Sequence, residues 1–426
     1  MIELIYKTIY LRFIKFSLVV LLSGFFITAC IVDKSPLSYN GPDFSDYHFV
    51  EPAVTGSTFY IDPVSGSPDG DGSMNNPWQT LQQVVDSGLI ECYRNSEAYN
   101  PNSSLVLLNE GAPVKGGDRL VLRNGYHGFV KLNNFIFKKW LTIEAETGQI
   151  PVLSHFRITG AFQNIYLKNL TILKESYQGD GNYWNTEVLN RNTSACVYFG
   201  SSSFWGKGSH IKLYGLTVKT SENTSGWSDA DWVEKAASGI SLRSVEHTEI
   251  VNCTIENIRH GIAIEYHSDY SYAVNNSINN YSADGCRLIS NYVLFAGNTI
   301  TNCYDVDENH DDAIQSYSRG VDNSPGTGVL YNVVIRGNLI IGTPDRNNPL
   351  AGQPQGIGCF DGFYEDWIVE NNVIITDHHH GITFSGMLSA QKVIMFTLSI
   401  IISLGKIIIR KSMNILRIRI TLIFIC

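Results

Sequence analysis

One phrase recurs through the middle of the chain and constrains its fold more than any other feature. It reads glycine, apolar, any residue, then usually apolar. Copies stand at Gly239–Leu242, Gly261–Ile264, Gly285–Leu288, Gly356–Cys359 and Gly381–Phe384, with Ala313 in the glycine's place at Ala313–Ser316. Successive copies are 22, 24, 28, 43 and 25 residues apart. A second phrase falls between them, at Asn252–Ile255, Asn275–Ile278, Gly297–Ile300, Gly337–Ile340 and Asn371–Ile374, with weaker copies at Asn169–Ile172 and Gly215–Val218. Short period-two strands separated by Gly/Asn turns, repeating every ~22 residues, describe the coils of an all-β parallel solenoid. No single coil can bury its apolar face, but coils stacked ~4.8 Å apart make a continuous Ile/Val/Leu core.

This register fixes several side chains. Cys286 and Cys359 fall at core positions and read as small buried hydrophobes. Asn276, Asn298, Asn338 and Asn372 share one column, where an inward amide can bond to the coils above and below. The longer intervals are insertions, which repeats carry as loops on one face.

The entry segment adds Thr58–Pro63, Ser65–Gly72 and Asn76–Gln83, then, after an insertion, Gly117–Tyr126 and Leu141–Ala145. With these motifs, residues 57–386 resemble the single-stranded right-handed parallel β-helix of the pectate-lyase-like superfamily. The resemblance implies that Trp78–Val85 is a short helix capping the first coil. It speaks to fold and says little about the reaction.

The two ends read differently. Residues 1–29 form an export signal: Lys7, Arg12 and Lys15 precede the apolar run Phe16–Ala29, which is short for a bilayer span. Ile27–Cys30 resembles the lipobox of bacterial lipoproteins, which implies lipidation at Cys30. An ordinary cleaved signal is the alternative. Residues 30–56 read as a polar tether. The expected location is the bacterial cell envelope, lipid-anchored on the periplasmic or outer-membrane surface, or secreted. Residues 387–426 hold six basic residues, twelve Ile and no Asp or Glu, and lack the repeat. That text suggests a frame disruption or truncation, which resequencing the locus would test.

Charge narrows the function. The chain carries 31 Lys+Arg against 40 Asp+Glu, and without the tail 25 basic residues face 40 acidic ones, which argues against a nucleic-acid partner. Eight Cys in 426 residues form neither a disulfide scaffold nor a Cys/His zinc pattern. A monomer is expected, touching membrane only through its lipid.

Residues at one place in successive coils line up. The position before each repeated glycine reads Ser238, His260, Asp284, Asp312, Gln355 and His380; two after it come Ser241, Ala263, Arg287, Gln315, Gly358 and Thr383. Asp284, Arg287, Asp311, Asp312 and Gln315 therefore share a patch. Asp305–Asp312 packs six acidic or His side chains into eight residues. Such a loop is often just a solvated turn. Read functionally it is a Ca²⁺ site, since Ca²⁺ takes six to eight oxygen ligands.

Two reactions use these groups. Elimination by a polysaccharide lyase needs the uronate carboxylate neutralised and a base nearby. By resemblance, Asp284, Asp311 and Asp312 hold Ca²⁺ and Arg287 or Arg319 is the base, although no Lys lies between Lys235 and Lys392. Hydrolysis uses carboxylates directly. Asp284–Gly285, Asp311–Asp312 and His380–Gly381 resemble the motifs of polygalacturonase-type hydrolases. That resemblance implies Asp312 as acid, Asp284 and Asp311 as water activators, and His380 in support. An extra coil at Gln355–Gly356 departs from the pattern. His260, Gln315 and Arg319 are candidate substrate contacts. His378, His379 and His380 read as turn histidines, because three consecutive strand residues cannot face one ion. The expectation is an exported protein cleaving an acidic polysaccharide, by elimination first and hydrolysis second. A C5-epimerase and a non-catalytic carbohydrate-binding β-helix remain alternatives.

Overall fold

A computed structural model describes residues 44, 46–98, 100, 102–178, 195–201, 204, 206–388, 390–403 and 406–416, the last two stretches as backbone path only. All lie in the unit Gly41–Cys426. The expected export signal and Cys30 fall outside the described residues.

Each coil contributes three short strands to three faces. In one coil these are Cys286–Ile289, Val293–Ala296 and Thr299–Cys303; the next supplies Asp312–Ser316, Val334–Arg336 and Leu339–Ile341. The strands of these coils pair in parallel with their equivalents one coil on, so Ile262 meets Cys286, Cys286 meets Ile314 and Ile314 meets Ile357 on the first face. Ile255, Ile278, Ile300, Ile340 and Ile374 line up on the third. These residues are sealed in one core. Each fully buried aliphatic side chain contributes about 1.5–3 kcal/mol of transfer free energy.

The repeat's residue choices follow from crowding at the corners. A Cβ on Gly261 would lie 2.3 Å from the Gly285 carbonyl and 2.7 Å from Ile278 Cγ2, so only glycine fits. The turn before the third face needs left-handed backbone, met by Asn275 at φ 56° and Gly297 at φ 65°. Beside it, the four asparagines form a closed ladder. Asn276, Asn298 and Asn338 each donate Nδ2 to the next coil's amide oxygen at 2.9–3.0 Å.

The short helix occupies Leu81–Asp86, N-capped by Thr80. It starts three residues later than expected, because Trp78 is still extended and exchanges hydrogen bonds with Tyr60 and Asp62. Leu81 and Val84 point into the core. The described part of the expected tether is not free chain. Phe44 packs on Leu294 and Val334, Tyr47 stacks on Tyr272 at 5.0 Å, and Phe49 lies 4.9 Å from Tyr214. Its aromatic residues give it a surface to bury along the second face. At the other end, Ala390–Ile394 pairs with Trp367–Glu370 before the backbone leaves as the antiparallel hairpin Ala390–Ser403 and Lys406–Leu416.

Candidate active site

The first-face corners bring the polar column together. Gly261 N–H donates to the Asp284 carbonyl, Gly285 N–H to that of Asp312, and Gly356 N–H to that of His380. Two residues on, Ser241, Ala263, Arg287, Gln315, Gly358 and Thr383 pair in register. Insertions flank Asp312–Ser316 on both sides, 304–311 before it and 317–328 after it.

Asp284 is wholly buried, and both carboxylate oxygens are engaged. Oδ2 accepts from Arg287 Nε at 2.6 Å and lies 3.6 Å from His260 Nε2; Oδ1 accepts the Asp312 N–H at 3.2 Å. Burial raises its pKa, and Arg287 opposes that rise. Burial also works against the charge on Arg287, but Asp284 and Glu265 outweigh it and hold the guanidinium above its ordinary pKa. A guanidinium so held is a poor base.

Asp312 differs. Its Oδ2 accepts from Gln315 Nε2 at 3.1 Å and faces His310 Nδ1 at 3.2 Å, while the buried Oδ1 has no hydrogen-bond partner. Burial, reinforced by the negative charge of Asp284, pushes its pKa up to about 8. Asp312 lines a cavity of about 190 Å³ together with His310, Gln315, Tyr317, Phe360 and Asp361. That is smaller than the roughly 300–1,000 Å³ of a pocket that encloses a whole ligand, as suits a contact with one part of an extended chain.

Asp311 faces away from this cavity, half-buried towards Asn309, Cys303 and Asp305. Burial lifts its pKa to about 8. The expected oxygen cage for Ca²⁺ is therefore not assembled. Asp284 is spent on Arg287 and a backbone N–H, and Asp311 and Asp312, as neighbours in an extended strand entry, diverge. Among the described residues, the one set whose ligand atoms converge is His378, His379 and His380.

A cationic cluster lies beside the carboxylates. Arg243 and Arg287 approach opposite oxygens of the buried Glu265 at 3.2 and 3.8 Å. Arg243 and Arg319 each stand 4.9 Å from the Tyr266 ring, and Arg319 also sits 5.4 Å from Tyr317. Three guanidiniums thus stand beside the acidic groups on one face.

The other candidates are distributed unevenly. His260 is buried, with Nδ1 3.1 Å from Ser238 Oγ, and does not line the cavity. Gln315 does line it, and Arg319 belongs to the guanidinium cluster. His380 lies one coil beyond Gln355, its ring 5.2 Å from that of Phe360. Asp361 and Phe360 escaped the sequence reading, which took His310 only as part of the Asp305–Asp312 loop. His310 and Tyr317 stand in the two insertions, and Phe360 and Asp361 in the link that leaves the Gln355–Cys359 strand.

Residues 238–394 match the family model described as "Right handed beta helix region". The fold is a right-handed parallel β-helix. No curated protein sequence matches the chain. Solved structures similar to it include the pectate lyase Pel9A, at 13% identity, covering 79% of each chain with a TM-score of 0.46. Another is the GH136 lacto-N-biosidase from Eubacterium ramulus, at 12% identity, covering 81% of this chain and 64% of that one with a TM-score of 0.49. A rhamnogalacturonan lyase matches at 14% identity, 74% and 87% coverage and a TM-score of 0.37. These are likenesses of fold alone.

Proposed function

We propose that this β-helix binds an acidic polysaccharide along its first face and hydrolyses a glycosidic bond at the cavity beside Asp312. The observation that carries the reading is the state of Asp312: a buried carboxyl with a pKa near 8 and a partnerless oxygen, lining a cavity next to fixed positive charge. A carboxyl still protonated at neutral pH is what a general acid requires. Asp312 gives its proton to the leaving oxygen as the bond to the anomeric carbon breaks. Asp361 takes a proton from the water that adds to that carbon. Proton exchange with solvent then restores both groups. Asp284 stays paired with Arg287 and acts as a positioning residue, its charge keeping the proton on Asp312. Arg243, Arg287 and Arg319 meet the acidic groups of the substrate.

The sequence reading ranked elimination first; we rank hydrolysis above it because Arg287, one of the two candidate bases, is held in an ion pair with Asp284. Elimination stays as a second reading because the same guanidiniums suit neutralisation of a uronate carboxylate, with Asp361 as base. Incubation with pectate, alginate and glycosaminoglycans separates the two. New reducing ends without absorbance near 235 nm support hydrolysis. A rise at 235 nm would overturn it in favour of elimination. Silence on every polymer would leave a binding module. We also infer action at the cell envelope from residues 1–30; Cys30→Ala should release the chain from the membrane fraction.

A further inference from the structure

We propose that His378, His379 and His380 form a binding site for a divalent transition-metal ion of the zinc class, at the rim of the Asp312 cavity. These residues stand in a bend after Thr376, not on a strand. The bend removes the alternation that would send consecutive side chains to opposite faces. One imidazole nitrogen from each ring lies within 4.8 Å of the others. The rings of His379 and His380 are 3.9 Å apart, and those of His378 and His379 4.3 Å.

The hydrogen bonding points the same way. His380 Nδ1 is buried without a hydrogen-bond partner. His378 Nδ1 accepts the His380 N–H at 3.1 Å, which fixes the bend. No carboxylate is paired with any of the three in a described ion pair, so no acidic side chain accounts for the convergence of their nitrogens. An ion supplies the missing partner. Nitrogens that share a tetrahedral zinc at 2.0–2.1 Å stand about 3.3 Å apart, so ring rotations closing the set by ~1.5 Å or less suffice.

The donor set selects the ion. Imidazole suits Zn²⁺, Co²⁺, Ni²⁺ and Cu²⁺, whereas Ca²⁺ and Mg²⁺ prefer oxygen. Three imidazoles leave a tetrahedral ion one position for water or an incoming ligand. His379 is exposed and gives the ion a way in. Phe360 touches both His380 and the Asp312 cavity, so the ion sits beside the bound polymer's path. The site stands independently of the hydrolytic reading.

Titration of the full chain with Zn²⁺, and with Co²⁺ followed by visible d–d absorption, tests this. The expected result is one ion per chain, undisturbed by equimolar Ca²⁺, with a metal-dependent rise of several degrees in the unfolding midpoint. The midpoint matters because three consecutive histidines can bind metal in an unfolded chain as well. Only an ion that prefers the folded geometry raises stability. His379→Ala should weaken binding at least tenfold and keep the metal-free midpoint, since its ring is exposed. Absence of binding, binding without a midpoint rise, or full binding by His379→Ala would each overturn the proposal. None of these outcomes bears on whether glycan is cleaved.

Discussion

Two buried polar columns run through the same coils, and they are built on opposite rules. In the asparagine column every amide is satisfied. Asn298 Nδ2 donates to Asn338 Oδ1 and the Ala273 carbonyl, while its Oδ1 accepts from both the backbone N–H and the side chain of Asn276. In the corner column Asp284 is closed, but further along the column is not. Asp312 Oδ1, Gln355 Oε1 and His380 Nδ1 lack partners. Burying an amide with all its bonds made is stabilising, whereas a buried oxygen without a donor costs about 1–3 kcal/mol. A neutral closed ladder holds coils together. A column left short of partners on successive coils is where a ligand, a proton or an ion has work left to do.

The sharpest way to break this contrast is Asp312→Asn. The amide keeps the shape and loses the transferable proton, so glycan cleavage should fall by about 10²–10⁴-fold. Stability should move the other way with pH. The folded pKa of about 8 lies far above that of an unfolded Asp. Between those values the native state holds a proton that the unfolded state has lost, so the contribution of this group is full at acid pH and fades as pH rises through 8. Urea midpoints at pH 6 and pH 9 should therefore shift in favour of Asp312→Asn at the higher pH, and parental cleavage should decline over the same range. A variant that unfolds more readily at pH 9 would return Asp312 to the structural class.

Next in size is Arg287→Ala, which leaves Asp284 buried without its guanidinium. Removing one partner of a buried pair costs about 3–5 kcal/mol, readable by denaturant unfolding. Asn298→Ala follows. It strands the Asn276 N–H and the Ala273 carbonyl, for an expected loss of about 2–4 kcal/mol, while cleavage per folded molecule is retained. If Asn298→Ala abolished cleavage without loss of stability, the division between the two columns would fail.

The two columns were unequally legible in the sequence. The ladder could be read completely, because each asparagine follows a left-handed Asn or Gly at a fixed offset and a period of ~22 residues stacks it on the next. The corner column was legible as positions: Asp284, Arg287, Asp312 and Gln315 are neighbours as the register requires. Their states were not. That Asp284 pairs with Arg287, and that Asp311 turns from Asp312, depends on side-chain directions that identical spacing leaves open. His310 lies in an insertion, and Asp361 in the link that leaves the Gln355–Cys359 strand, where the repeat prescribes no residue. The triple histidine was read as a turn, and a bend is what stands there; that its three rings converge depends on side-chain directions the sequence does not carry.

The smallest effect expected concerns Arg319, and it sharpens the contrast at its wet edge. Unlike Arg287, it pairs with no buried carboxylate. It donates to the Asn323 carbonyl at 2.9 Å and leans on Tyr266 and Tyr317. Arg319→Ala should therefore leave the unfolding midpoint within about 0.5 kcal/mol of the parent. For an acidic polymer it should raise KM by about tenfold, which is ~1.4 kcal/mol of lost binding, with kcat little changed. Added salt should shrink the difference, because an exposed charge pair is screened. Arg319→Lys should restore part of the binding but not the stacking on the two tyrosines. An equal rise in KM for a neutral polymer would mean that Arg319 holds the 317–328 insertion in place and does not read substrate charge.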